Sequence, residues 1–359
     1  MSNSNTAKIT EGFGRLDAKI AMFADGFVDE VWEVVSSRAS LSEYSLYTKM
    51  GQFAERISGT GGVGLELVRK RRAPGGFAAN IGYAAARLGV DTSMVDVYGK
   101  EIIDPVFDDV NKLCRVFSVD DPAVTHVLEF DDGKVLMSYM ASVQNITWKQ
   151  ITDRVGMDKL TAMIGEADMI GVGYWSLLPS FDEIVSEIAA NLPSGKKTRF
   201  FFDFADFKKR DEASLNASMQ KLRLLNDRFP MTLSVNEHEA AALFAIYGET
   251  LDEKTDAIPE KTERVRKQIG LDELVVHTPY YGAAASSSNK PALAASVYCE
   301  KPVRSAGAGD SFNGGYIAAS LAGFNTPERL EIANASVGAF LRSGVYPDRR
   351  NMLEYMGSL

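Results

Sequence analysis

Residues 305–312 read Ser305, Ala306, Gly307, Ala308, Gly309, Asp310, Ser311 and Phe312, and run into a stretch, 313–321, with helical character despite its glycines. Small residues ahead of a helix let backbone N–H groups close around an anion, and the helix dipole adds positive potential at the same point. Gly307, Ala308 and Gly309 are therefore candidates for holding a phosphate. Asp310 beside them opposes a phosphate's charge unless it is needed to take a proton from an incoming nucleophile. Phosphoryl transfer needs that pairing: an electrostatic cradle for the moving group and a carboxylate within reach of the attacking hydroxyl. A plain turn with an acidic first helical turn explains the same residues without chemistry.

A second segment, residues 72–89, reads as a tight turn, a small-residue helix and a glycine stop. Close packing of a helix on a sheet accounts for its alanines, but less well for Gly75, Gly76 and Asn80. Upstream, the first predicted strand ends in Asp25, Gly26, Phe27, Val28 and Asp29, and a carboxylate such as that of Asp29 suits a pair of neighbouring hydroxyls, one oxygen accepting from each. Asn236 and Glu239 open a helix with the spacing of a capping box. Gly282 and Asn334 lie further on, the first after a short strand and the second inside a helical pattern.

Gly307, Ala308, Gly309 and Asp310 resemble the GAGD signature of the PfkB/ribokinase family of carbohydrate kinases, and Gly75 to Asn80, with a helix ending Arg87, Leu88, Gly89, is similar to its GGxxxN signature. The resemblance implies an ATP-dependent kinase that moves the γ-phosphoryl group to a hydroxyl of a sugar or sugar-like acceptor, with Asp310 as base and Gly307, Ala308 and Gly309 as anion hole. It further implies acceptor contacts from Asp29, Gly75, Gly76 and Asn80, a Mg²⁺ network at Asn236 and Glu239, and nucleotide contacts at Gly282 and Asn334. Two positions depart from the family. Pro279 replaces the first glycine of the nucleotide loop, and proline there removes an N–H. Arg304, Ser305 and Ala306 stand where relatives build a monovalent-cation loop, which puts a cation requirement in doubt. Arg304 is expected either to supply that charge or to bind an anionic acceptor. A nucleoside kinase of the same family and a non-catalytic sugar or nucleotide sensor with the same fold are the alternatives.

The elements that must position these residues follow from hydrophobic pattern. The chain has 359 residues, 45% hydrophobic and 24% charged, enough to bury a full core. Nearly continuous apolar runs at 20–28, 94–98, 169–175, 198–204, 231–235 and 274–277 alternate with helical patterns. That is the signature of a mostly parallel sheet covered on both faces, so the fold class is α/β and doubly wound, and by resemblance ribokinase-like. Residues 1–19 read as a polar, partly ordered tail and 20–359 as one kinase domain. Alternating runs at 125–130 and 134–140 around Asp131, Asp132 and Gly133 predict a hairpin, and residues 30–35 a further strand. Parts of 28–72 and 115–145 are thus expected to form a small β lid, which the resemblance makes an acceptor cover and a homodimer contact.

Other classes fit poorly. A formal net charge of −9 disfavours nucleic acid, and the basic strip at residues 69–72 reads as a solvated loop. The apolar runs fall short of the roughly 20 residues needed to cross a bilayer. The two cysteines, Cys114 and Cys299, show neither metal nor disulfide spacing, which points to a reducing cytoplasm. Residues 59–64 satisfy GxGxxG, but a helix-like stretch precedes them, and no acidic answer follows about 20 residues on, so a nicotinamide oxidoreductase is not expected.

Overall fold

A computed structural model describes residues 3–59, 61–251 and 257–358. Its main sheet contains β1 (Lys19–Phe23), β5 (Asp91–Asp96), β6 (Arg115–Ser118), β9 (Met169–Val172), β10 (Arg199–Asp203), β11 (Met231–Asn236), β12 (Glu273–His277), β13 (Tyr281–Ser286) and β14 (Ala292–Ala295). The order is β14-β13-β12-β11-β10-β9-β1-β5-β6, and every pair is parallel except β12 with β13 and β13 with β14. The apolar runs are continuous because both faces are covered. Phe200 and Phe202 enter one core layer with Trp175 and Phe204, whereas Phe201 enters the other with Phe312 and Tyr316. Among the described residues no helix is long and apolar enough to cross a membrane.

A second sheet joins β2 (Phe27–Arg38), β3 (Tyr44–Leu46), β7 (Ala123–Phe130) and β8 (Gly133–Tyr139) in the order β3-β2-β7-β8, with β4 (Glu66–Gly75) also on β2. The expected hairpin is the β7/β8 pair, and the strand foreseen at 30–35 lies inside β2.

Three expectations are corrected. The run at 20–28 is two strands, because Ala24 and Gly26 take φ of 77° and 154° and turn the chain into the second sheet. Gly26 is needed there: a Cβ would lie 2.2 Å from the Val97 carbonyl oxygen. The N-terminal residues include a helix, Asn3–Gly14, whose Ile9 and Phe13 are buried, Phe13 lying 5.6 Å from the Phe324 ring. Two apolar residues four apart suffice to dock an otherwise polar helix. The basic strip 69–72 is part of β4 rather than a loop, since carboxylates on adjacent strands answer it: Lys70 pairs with Glu33 and Glu129, and Arg72 with Glu30. The glycine run at 59–64 includes Thr60, outside the described residues. It lies between a helix, Met50–Ile57, and β4, the wrong order for a dinucleotide turn.

The layer beneath the sheet contains a buried ion pair, Arg329 Nη1 to Glu273 Oε1 at 3.0 Å, with Tyr316 and Thr232 hydroxyls also donating to Glu273. Removing one partner of such a pair strands the other charge in apolar surroundings. Arg329→Met is expected to lower the unfolding free energy by about 3 kcal/mol in urea titration.

Candidate active site

The strand ends of β10, β11 and β12 and the start of the Ala308–Leu321 helix enclose a cavity of about 560 Å³. Gly307 caps that helix in the left-handed conformation, φ 92°, which a side chain would strain. The Ala308 N–H is engaged by the Ser305 carbonyl at 3.1 Å. A Cβ on Gly309 would meet the buried His277 ring at 3.0 Å, so glycine also lets the turn approach β12. His277 has its pKa pushed down to about 4 by burial alone.

Asp310, in the first turn of this helix, lines the cavity. Burial pushes its pKa up to about 7, with the charge of Asp203 acting the same way. Hydrogen bonds from Tyr174 and Asn80 and the nearby charge of Arg304 act against the rise. The Tyr174 hydroxyl donates to Asp310 Oδ1 at 3.3 Å.

Asn80 comes from the other half of the chain. Gly75 ends β4, and Gly76 turns it at φ 103° into a π-helical segment, Ala78–Gly82, and a helix, Tyr83–Arg87. A Cβ on Gly76 would lie 2.9 Å from both Asp25 carboxyl oxygens, and one on Gly75 would lie 2.9 Å from Asp29 Oδ2. Asp25 accepts from the Phe77 and Ala78 amides at 2.5 and 3.3 Å and so fixes the start of this segment. The Asp25 backbone N–H donates to Asp96, and burial of the two carboxyls together pushes both up. Asn80 Oδ1 is buried without a partner. Asp29 and Gly75 lie on the paired strands β2 and β4 and Gly76 packs against Asp25, whereas of the five residues expected to contact the acceptor or its base only Asp310 lines the cavity.

Arg304 stacks over Phe340 and Tyr346 at 5.4 and 6.0 Å, its Nε buried and unpartnered. Its charge reaches both Asp29 and Asp310, although burial still dominates and raises Asp29.

Asn236 and Glu239 form the capping box, with the Glu239 N–H donating to Asn236 Oδ1 at 3.0 Å and the Asn236 N–H to Glu239 Oε2 at 2.9 Å. Both also line the cavity, beside Asp203. Asp203 is held by the Ala205 N–H at 2.9 Å and Asn313 Nδ2 at 3.0 Å, and Ser234 Oγ donates to Asn313 Oδ1 at 2.6 Å. Burial lifts Asp203 to about 6 and Glu239 to about 8, the Asp203 charge adding to the latter. Two carboxyls that repel across a cavity fit a divalent cation. Among the described residues no group of three or more His, Cys, Asp or Glu could hold a metal ion.

The nucleotide expectations divide. Asn334 lines the cavity, where its amide donates to the Ala294 and Ala295 carbonyls and accepts from Ser296. Gly282 does not line it: the residue is buried in β13, where a Cβ would lie 2.9 Å from the Phe312 ring, so packing accounts for the glycine. Thr278 and Pro279 border the cavity instead. Asp25, Tyr174 and Asp203 escaped the sequence reading. The Asp25 carboxyl sat in the same run as Asp29, and Asp203 and Tyr174 each ended or followed an apolar run, the only signal either carried.

A mostly parallel sheet carrying a glycine-capped helix, a carboxyl at its tip and an attached β sheet defines a ribokinase-like α/β fold. Solved structures agree on the fold. A ribokinase II candidate from Escherichia coli in complex with ATP and Mg²⁺ superposes with a TM-score of 0.65 at 13% identity, covering 96% of this chain and 100% of that one. Arabidopsis thaliana ribokinase, complexed with ribose and ATP, gives 0.65 at 16% identity over 94% and 98%. The ketohexokinase of Haloferax volcanii is 25% identical over 344 residues, 93% of this chain and 89% of that one. The family model for prokaryotic ketohexokinase matches residues 7–357, and the chain belongs to that family. It is an ATP-dependent sugar phosphotransferase.

The capping role of Asn236 is separable from any metal role. Asn236→Ala should lower the unfolding free energy by about 1 kcal/mol, whereas Asn236→Asp, an equally good cap, should leave it unchanged within about 0.5 kcal/mol in denaturant titration.

Proposed function

We propose that this kinase phosphorylates a free ketohexose in the cytoplasm, with Asp310 as the general base. The observation that carries the reading is the position of Asp310: a half-buried carboxyl in the first turn of a glycine-capped helix, on the cavity wall and bonded by the Tyr174 hydroxyl. The matching family and the named Haloferax relative support the ketose. Two unpaired cysteines suit a reducing compartment, which cell fractionation checks.

In this reading Asp29 and Asn80 orient the acceptor's hydroxyls, and Asp310 accepts the proton of the attacking one as its oxygen bonds to the γ-phosphorus. The bond from that phosphorus to the bridging oxygen breaks, and ADP leaves. N–H groups of the Gly307 to Asp310 turn and the helix dipole stabilise the charge on the moving group. Mg²⁺ held near Asp203, Asn236 and Glu239 supplies neutralisation of the ATP phosphates when bound. Asn334, Thr278 and Pro279 border the nucleotide. Arg304, seated on two aromatic rings, provides fixed positive charge, so no monovalent cation is required; several-fold stimulation by K⁺ over Na⁺ would contradict this. The second sheet serves as a lid over the acceptor and limits ATP hydrolysis. Exposed Leu136, Met137 and Tyr139 on β8 suit pairing with a second copy, and a single-chain mass by light scattering would remove that pairing.

ATP consumption measured over ketohexoses, aldohexoses, pentoses, sugar phosphates and nucleosides should show highest kcat/KM for a ketohexose; preference for a nucleoside would overturn the acceptor. Asp310→Asn should reduce kcat by about 10³-fold with little change in ATP affinity. Since a carboxyl raised to about 7 is an effective base only once ionised, kcat/KM for the wild type should fall tenfold per unit below pH 7 and level off above it.

A further inference from the structure

We propose that Tyr174 is a positioning residue for the base: its hydroxyl, 3.3 Å from Asp310 Oδ1, orients the carboxyl so that Oδ2 meets the acceptor hydroxyl. The proposal rests on Asp310 being that base. Tyr174 directly follows β9 by two residues, at the seam where β9 lies between β1 and β10, and lines the same cavity as Asp310.

Its ring is gripped from the acceptor side. Phe77 meets it edge-on, with centroids 5.7 Å apart and planes at 78°. Gly173 makes room for that contact, since a Cβ there would lie 2.3 Å from Phe77 Cγ. The backbone of Phe77 is in turn fixed by its N–H on Asp25. A continuous set of contacts therefore runs from Asp25 through Phe77 to Tyr174 and Asp310, and it joins the segment bearing Gly76 and Asn80 to the base. Displacement of that segment would turn the Tyr174 ring and with it the carboxyl.

The same hydrogen bond tunes basicity. A neutral O–H donating to a carboxylate stabilises its charged form, against the desolvation that raises it. Around Asp310 the other groups are Asn80 from the π-helical segment, Asp203 from the end of β10 and Arg304 ahead of the helix; around Tyr174 they are Asp203, Asp25 and Tyr346. The Tyr174 hydroxyl bonds Asp310 as a neutral donor. The phenol keeps its own proton during transfer, because burial and the surrounding carboxyls hold its pKa well above the ordinary value.

Tyr174→Phe removes one oxygen and leaves the ring against Phe77. Profiles of kcat/KM against pH for wild type, Tyr174→Phe and Asp310→Asn, with Mg²⁺–ATP and the best acceptor, test the proposal. The acid limb of Tyr174→Phe should move up by about one pH unit, with kcat/KM at pH 7 down about fivefold and largely restored at higher pH. The KM for ATP should stay within about twofold. Infrared titration of the carboxyl band, with Asp310→Asn as blank, reads the same shift without turnover. An unmoved limb and an unmoved carboxyl titration, with Asp310→Asn inactive, overturn the role of Tyr174 alone. Near wild-type turnover in Asp310→Asn overturns the base assignment itself.

Discussion

Desolvation of carboxyl groups at the C-terminal edge of the main sheet is the constraint on which the site depends. Asp25, Asp96, Asp203, Glu239 and Asp310 are all raised chiefly by burial. A buried carboxylate is tolerable only where hydrogen-bond donors or positive potential replace water. Each is met in its own way: Asp25 by two amides, Asp96 by the Asp25 amide, Asp203 by an amide and Asn313, Glu239 by the helix cap, and Asp310 by Tyr174. These donors come from distant parts of the chain, so the carboxyls also tie those parts together. The cleft keeps an excess of negative or protonated groups that a cation and a proton-donating substrate would satisfy.

Backbone geometry makes the close approaches possible. Gly76 and Gly307 both adopt positive φ, one where the chain passes a carboxyl and the other where it enters a helix with its N–H groups forward. The two halves of the site are mirror requirements. One lets backbone approach a carboxyl, and the other starts a helix in the left-handed conformation. Side chains at either position would separate donor from acceptor by the thickness of a methyl group.

Local chemistry was legible in the sequence and long-range chemistry was not. The capping box, the β7/β8 hairpin and the glycine-capped helix depend on residues within a few positions of one another, and each stands in the structure as read. The break between β1 and β2 escaped notice because apolar residues continue through it, while the turn rests on φ at Ala24 and Gly26. Nothing in the local pattern around Asp203 announces Asn313, 110 positions away, or Ser234 behind it. Tyr174 reaches Asp310 across 136 positions. Gly282, expected at the nucleotide by family resemblance, lies in β13, where packing against Phe312 also accounts for the glycine. The polar N-terminal segment concealed a helix because only Ile9 and Phe13 are needed to anchor it.

The second sheet shows how a charged strand can be answered within its own sheet. Residues 69–72 on β4 face Glu30, Glu33 and Glu129 of the same sheet, so most of their pairing travels with the sheet as a unit. Arg72 also bonds Asp104 at 2.8 Å, outside the sheet, and that exposed pair is of the kind that contributes about 1 kcal/mol or less. The sheet is therefore stiff within itself and weakly held at this point to the body. Asp29 lies on β2 and Gly75 ends β4, so both belong to this sheet, and the Phe77 and Ala78 amides bonded to Asp25 fix the chain just beyond it.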